Sequence, residues 1–177
     1  MSATCHLVVM GVAGVGKSTI AQGIAAELDL ELAEGDDFHP QANVEKMSSG
    51  QALTDEDRWP WLEQLADWTR ERRTAGVSTV VTCSALRKVY RDVLRGADPD
   101  TFFVFLYGDE DLLLERMQSR EHFMPGSLLR SQFETLEALE PDESGVALDV
   151  VQSVEEVVEQ ALDGLTAARV EQPSGNG

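Results

Sequence analysis

Lysine is nearly absent from this chain. Its 177 residues include Lys17, Lys46 and Lys88 and no other lysine, and 14 basic residues face 32 acidic ones for a net charge of −18. So negative a protein is a poor partner for nucleic acid or an anionic membrane, and neither is expected. An anionic small molecule meets the same repulsion, so local cations must overcome it. Cysteine is scarce too. Cys5 and Cys83 are too few and too far apart for a disulfide framework or a metal cluster, which fits a reduced, cytoplasmic setting. The asparagines are Asn43 and Asn176, and neither begins the Asn-Lys-x-Asp motif with which GTP switches read their base. No apolar run approaches the ~20 residues of a membrane span, and no leader pattern opens the chain.

What is present is a glycine loop in the right place. Gly11-Val12-Ala13-Gly14-Val15-Gly16-Lys17-Ser18 matches G-x-x-x-x-G-K-[ST]. The apolar run Leu7-Val8-Val9-Met10 precedes it, and Ile20, Ile24 and Leu28 follow at helical spacing. Strand, glycine loop and helix form the context in which this motif cradles phosphate. Glycines let backbone N–H groups turn inward around phosphate oxygens. Lys17 can reach the β- and γ-phosphates, the Ser18 hydroxyl can ligate Mg²⁺, and the helix dipole points at the same anion. The expected nucleotide contacts are Gly11, Ala13, Gly14, Val15, Gly16, Lys17, Ser18 and Thr19, with ATP and Mg²⁺ as cofactors.

With 42% hydrophobic residues, the chain can build a real core. Length favours one domain, taken as residues 1–168, with a small lid at about 116–127 and a loose tail at 169–177. Strands are expected at about 5–10, 31–34, 77–82, 101–107 and 146–151, each followed by a helical pattern. One helix carries Trp61, Leu65 and Trp68 on its apolar face. Thr54 to Asp57 offers several caps for it, and Pro60 belongs in a first turn, so its start stays open. Another helix is read with Leu86, Val89, Tyr90, Val93 and Leu94 inward and Arg87, Lys88, Arg91 and Arg95 outward. Asp142-Glu143-Ser144-Gly145 reads as a loop. Alternation of this kind gives an α/β fold, a three-layer P-loop NTPase architecture with a five-stranded parallel sheet. Ligands should gather outside the carboxyl ends of the strands.

The third strand ends in Thr82-Cys83-Ser84, without the acidic residue of a mechanical ATPase. A small kinase needs instead a group near the acceptor hydroxyl, cations on the moving phosphoryl and exclusion of water. Asp36, at the exit of the second strand, suits the first as a base. Arg116 and Arg120, four apart on one helix, suit the second. The excursion at 120–126 suits the third as a lid. Each also has a plainer reading, as a turn, a solvated helix face or a surface loop.

Several stretches resemble the gluconokinase family. They are Gly35-Asp36-Asp37-Phe38-His39-Pro40, Asn43-x-x-Lys46-Met47-x-x-Gly50, Leu53-x-Asp55-x-Asp57-Arg58-x-Pro60-Trp61-Leu62 and Cys83-Ser84-Ala85-Leu86-Arg87-Lys88-x-Tyr90-Arg91-Asp92. His122-Phe123 and Ser131-Gln132-Phe133-x-Thr135-Leu136-Glu137 fit as well, so the match runs from about residue 7 to 140. The resemblance implies a nucleoside-monophosphate-kinase-like fold, similar to shikimate kinase, and a homodimer. It implies ATP-dependent phosphorylation of D-gluconate at the 6-hydroxyl. Asp36 matches the catalytic aspartate and Arg120 the lid arginine. His39, Lys46, Arg58, Lys88, Arg91 and Gln132 match positions expected near the sugar acid. Glu34 stands where related kinases often carry an aspartate joined to Mg²⁺ through water, one methylene longer here. On residues alone, a kinase for another small hydroxy acid such as shikimate stays open, as does a nucleotide-binding regulatory module without turnover.

Overall fold

The computed structural model of the protein describes residues 3–118 and 126–171. In chain order these form β1 (His6–Met10), α1 (Lys17–Leu28), β2 (Glu31–Glu34), a 3₁₀ turn (Gly35–Phe38), α2 (Gln41–Ser48), α3 (Asp55–Thr74) and β3 (Thr79–Thr82). Then follow α4 (Lys88–Arg95), β4 (Phe102–Tyr107), α5 (Glu110–Gln118), α6 (Gly126–Thr135), β5 (Gly145–Asp149) and α7 (Val154–Glu171). All strand pairs are parallel, in the order β2-β3-β1-β4-β5. The expected α/β architecture is thus observed.

The sheet explains its own sequence. β1 lies at its centre, and all five of its residues are buried, because helices cover both faces. β4 beside it is buried from Phe102 to Leu106. From β1 the chain first winds toward β2 and β3, then crosses to β4 and β5. The loop after β1 therefore opens at the point where strand order reverses, the place at which such sheets bind ligands.

Three elements differ from their sequence reading. α3 starts at Asp55, set by a reciprocal capping box. Asp57 N–H donates to Thr54 Oγ1 at 3.2 Å, and Thr54 N–H donates to Asp57 Oδ2 at 2.8 Å. Pro60 then falls in the second turn. The core contacts of Trp61, Leu62 and Leu65, all at most 2% exposed, hold the helix through it. α4 buries Tyr90, Arg91 and Leu94, while Val89 is exposed, so its inner face is rotated from the purely apolar one. α7 continues to Glu171, so residues 169–171 are helical rather than loose tail.

Candidate active site

The exits of β1, β2 and β3 meet around a cavity of about 560 Å³, within the ~300–1,000 Å³ range of small-molecule sites. The phosphate loop forms one wall. Gly16 precedes α1 at φ +99°, a left-handed conformation that favours glycine. Lys17 Nζ folds back onto the carbonyls of Gly11 and Val12, 3.0 Å from each. Burial pushes its pKa below the ordinary lysine value, and the carboxylates of Asp36 and Glu34 oppose this. Ala13, Gly14, Gly16, Lys17, Ser18 and Thr19 line the cavity. Val15 is buried behind the loop, and Gly11 N–H donates to Ser84 O at 3.2 Å, so these two shape the cradle from outside.

The acid lacking at the end of β3 is supplied by the neighbouring strand. Glu34 on β2 pairs in register with Thr82 on β3. Thr82 Oγ1 donates to Glu34 Oε2 at 2.6 Å, and Ser18 Oγ donates to the same oxygen at 3.0 Å. A hydroxyl and a carboxylate oxygen are the hard donors that Mg²⁺ takes, with phosphate and water completing its shell. Gly35 must follow directly, because a Cβ there would lie 2.0 Å from Thr82 O.

The opposite wall carries the polar groups. Asp36 projects from the 3₁₀ turn with its side chain 95% exposed to the opening. His39 stacks on Trp61, with ring centroids 4.0 Å apart, and Trp61 Nε1–H donates to Gly35 O at 2.7 Å. Arg58, on α3, donates from Nη1 to Tyr90 Oη at 2.7 Å and lies over that ring. Tyr90 Oη donates to Asp55 Oδ1, and Arg87 Nη1 donates to Asp55 Oδ2 at 2.7 Å. Gln132 on α6 closes the ring, because its Oε1 accepts from Ala13 N–H at 2.7 Å. Lys17, Ser18, Asp36, His39, Arg58 and Gln132 are therefore brought together.

Other expected site residues stand elsewhere. Lys46 Nζ is held by Asp57 Oδ2 at 2.6 Å, and that bond, helped by the Thr54 N–H, keeps the Asp57 pKa down to about 2. Lys88 begins α4 with Nζ 3.6 Å from Asp92 Oδ1, off the cavity wall. Arg91 is a correction: it is completely buried, paired with Glu143, and reaches no ligand. Arg116 Nη2 donates to Val150 O at 3.1 Å, beyond the cavity lining. Arg120, His122 and Phe123 lie outside the described residues, as does most of the expected lid. Asn43, Trp61, Thr82 and Tyr90, which position the groups above, are not among the site residues expected from the sequence. Asn43 carries one signal: it stands four residues after His39, in the first turn of the helix that follows it.

Comparison with known proteins bears on the family and the fold. A family model described as an AAA domain matches residues 7–139. A gluconokinase from Gluconobacter oxydans is 49% identical over 157 residues, covering 88% of each chain. A crystal structure of a sugar kinase from Janibacter superposes with a TM-score of 0.89 at 56% identity, covering 92% of this chain and 95% of that one. A gluconokinase structure from Sinorhizobium meliloti gives 0.84 at 46% identity, covering 94% of each.

Proposed function

The chain belongs to the gluconokinase family, and from that premise we propose that it transfers the γ-phosphoryl group of ATP to the 6-hydroxyl of D-gluconate. One observation carries the reading. A single cavity joins a phosphate cradle to a wall holding a carboxylate, an imidazole and a guanidinium, in an otherwise acidic protein. Gluconate is a polyhydroxy anion, so its pocket must mix a cation with hydrogen-bonding groups.

The residues divide the work. Lys17 leaves its two loop carbonyls for the phosphates, and loop N–H groups hold phosphate oxygens. Ser18 directly, and Glu34 through water, would hold Mg²⁺, which when bound neutralises charge on the phosphate oxygens. Arg58, fixed by Tyr90, takes the carboxylate of gluconate. Asp36 orients the 6-hydroxyl and accepts its proton as the new oxygen–phosphorus bond forms and the bond to the ADP oxygen breaks. Gln132 ties α6 to the cradle and presents its amide to the sugar acid. Cytoplasmic location and a homodimer complete the proposal, and light scattering of the purified protein reads the second directly.

A coupled ADP-release assay over a panel of sugar acids tests the whole. Saturable turnover with gluconate, and little with shikimate, is the expected result. Preference for another hydroxy acid would move the substrate, and no turnover with any would leave a nucleotide-binding module.

A further inference from the structure

Asn43 is 4% exposed, though asparagine is seldom buried without a reason. Its amide nitrogen Nδ2 donates to the main-chain carbonyl of Asp57 at 2.9 Å. A carbonyl oxygen accepts only, so this contact fixes which end of the amide is nitrogen. The same nitrogen lies 3.3 Å from Nδ1 of His39. An amide NH₂ donates only, so Nδ1 must present its lone pair. In the neutral ring the proton then sits on Nε2, and Nε2 is the nitrogen that faces Asp36, 3.8 Å from Oδ1.

We propose that Asn43 is a positioning residue that locks His39 in its Nε2–H tautomer, so that beside Asp36 the imidazole is a hydrogen-bond donor and never a competing base. This rests on the kinase reading, in which Asp36 takes the proton of the acceptor hydroxyl. A lone pair on Nε2 would offer that proton a second destination. With the proton on Nε2, the wall holds one acceptor and one donor with fixed roles. The N–H can hold one oxygen of the Asp36 carboxylate, or the substrate, leaving the other carboxylate oxygen for the hydroxyl. The 3.8 Å separation is too long for a hydrogen bond as it stands, but Asp36 is free to turn, and such contacts tighten when substrate binds.

The surroundings hold the ring neutral. The His39 side chain is 4% exposed, and Trp61 stacks on its face. Burial lowers its pKa, with the Arg58 charge acting in the same direction and the Asp36 carboxylate in the other. Asn43 suits this ring in a way aspartate would not. A carboxylate beside Nδ1 would draw a proton there and either invert the tautomer or charge the ring.

Ring-nitrogen NMR of ¹⁵N-labelled native protein tests the proposal directly. The chain has three histidines, and His39→Gln assigns the signal. The expected spectrum at neutral pH shows His39 with Nε2 protonated and Nδ1 bare. Protonation on Nδ1, or a fully charged ring, would overturn the proposal. In Asn43→Asp the signal should become the neutral Nδ1–H form, whose bare Nε2 no longer donates. There kcat for gluconate should fall roughly tenfold or more, the loss of a hydrogen bond to a charged group, with the KM for ATP near wild type. His39→Gln keeps an N–H donor and should retain more kcat than His39→Leu. If Asn43→Asp loses kcat while Nε2 stays protonated, or changes tautomer with kcat intact, the tautomer does not matter and the proposal fails. Failure of the kinase reading looks different: the native protein then turns over no sugar acid, and failure of the Asp36 role alone shows as full kcat in Asp36→Asn, while the tautomer of the native protein stands in both cases.

Discussion

Arg58 and Arg91 meet opposite fates in one molecule. Arg91 is wholly buried, and its five N–H donors all find acceptors: both oxygens of Glu143 and the carbonyls of Ala85, Glu137 and Ala138. Arg58 sits on the cavity wall, 11% exposed. One nitrogen is spent on Tyr90, and its ion pair with Asp55 is stretched to 4.0 Å. An arginine whose donors are filled from within the protein fastens one segment to another. An arginine steadied by one phenol, beside an open cavity, keeps donors for a ligand. The buried cluster joins α4 to the segment between α6 and β5, and so fixes the strand exit that carries Ser84 and Leu86 to the cavity.

The largest effect expected on the open side is at Asp36. Asp36→Asn keeps the size of the side chain but cannot take a proton, so kcat should fall by roughly 10²–10⁴-fold. ATP affinity should barely change, and Asp37→Asn, off the cavity wall, should stay active. Steady-state kinetics of the pair checks this. A dead Asp37→Asn beside an active Asp36→Asn would reverse the assignment.

On the buried side, Glu143→Gln should cost stability rather than chemistry. Breaking a buried ion pair leaves Arg91 uncompensated, at about 3–5 kcal/mol. Urea unfolding measures that loss, while the KM for gluconate stays near wild type in the folded protein. The pH dependence has a definite sign. Burial works against the charge of Glu143, but Arg91, the Glu140 N–H and Arg95 outweigh it and hold the pKa down to about 2 from 4.5. Its stabilisation is therefore complete above the ordinary carboxylate range and is lost as pH falls through about 2. Glu143→Gln should lack this acid-labile part.

The sequence made one side of this comparison far more legible than the other. The phosphate loop, Asp36 and the strand exits are local patterns, and a short stretch with its flanking elements defines each. Arg91 reads outward in the sequence because α4 offers enough apolar residues to make a conventional inner face. Burying an arginine becomes reasonable only once Glu143, 52 residues away in a stretch that reads as a loop, is known to meet it. Thr82 supporting Glu34 depends likewise on strand register, which no single stretch states. Asn43 falls within one of the stretches that resemble the family, but its role needs the position of Asp57 O.

Smaller effects sharpen the contrast. Arg58→Ala removes a charge-assisted contact worth about 1.5–3 kcal/mol, so the KM for gluconate should rise roughly ten- to a hundredfold, with ATP little affected. Tyr90→Phe should raise it less, by loosening Arg58. Lys88→Ala should do least, because its ammonium pairs with Asp92 and lies off the wall. A KM raised as much by Lys88→Ala as by Arg58→Ala would place that lysine in the site.

The central claim is that the cavity joins the phosphate of ATP to one end of gluconate. Phosphorus and carbon NMR of the product mixture from ATP, Mg²⁺ and gluconate tests it most directly. One phosphomonoester, coupled to the terminal CH₂ of gluconate and formed in step with ADP, is the predicted result. Phosphate on another hydroxyl, or ADP accompanied by inorganic phosphate alone, would contradict it.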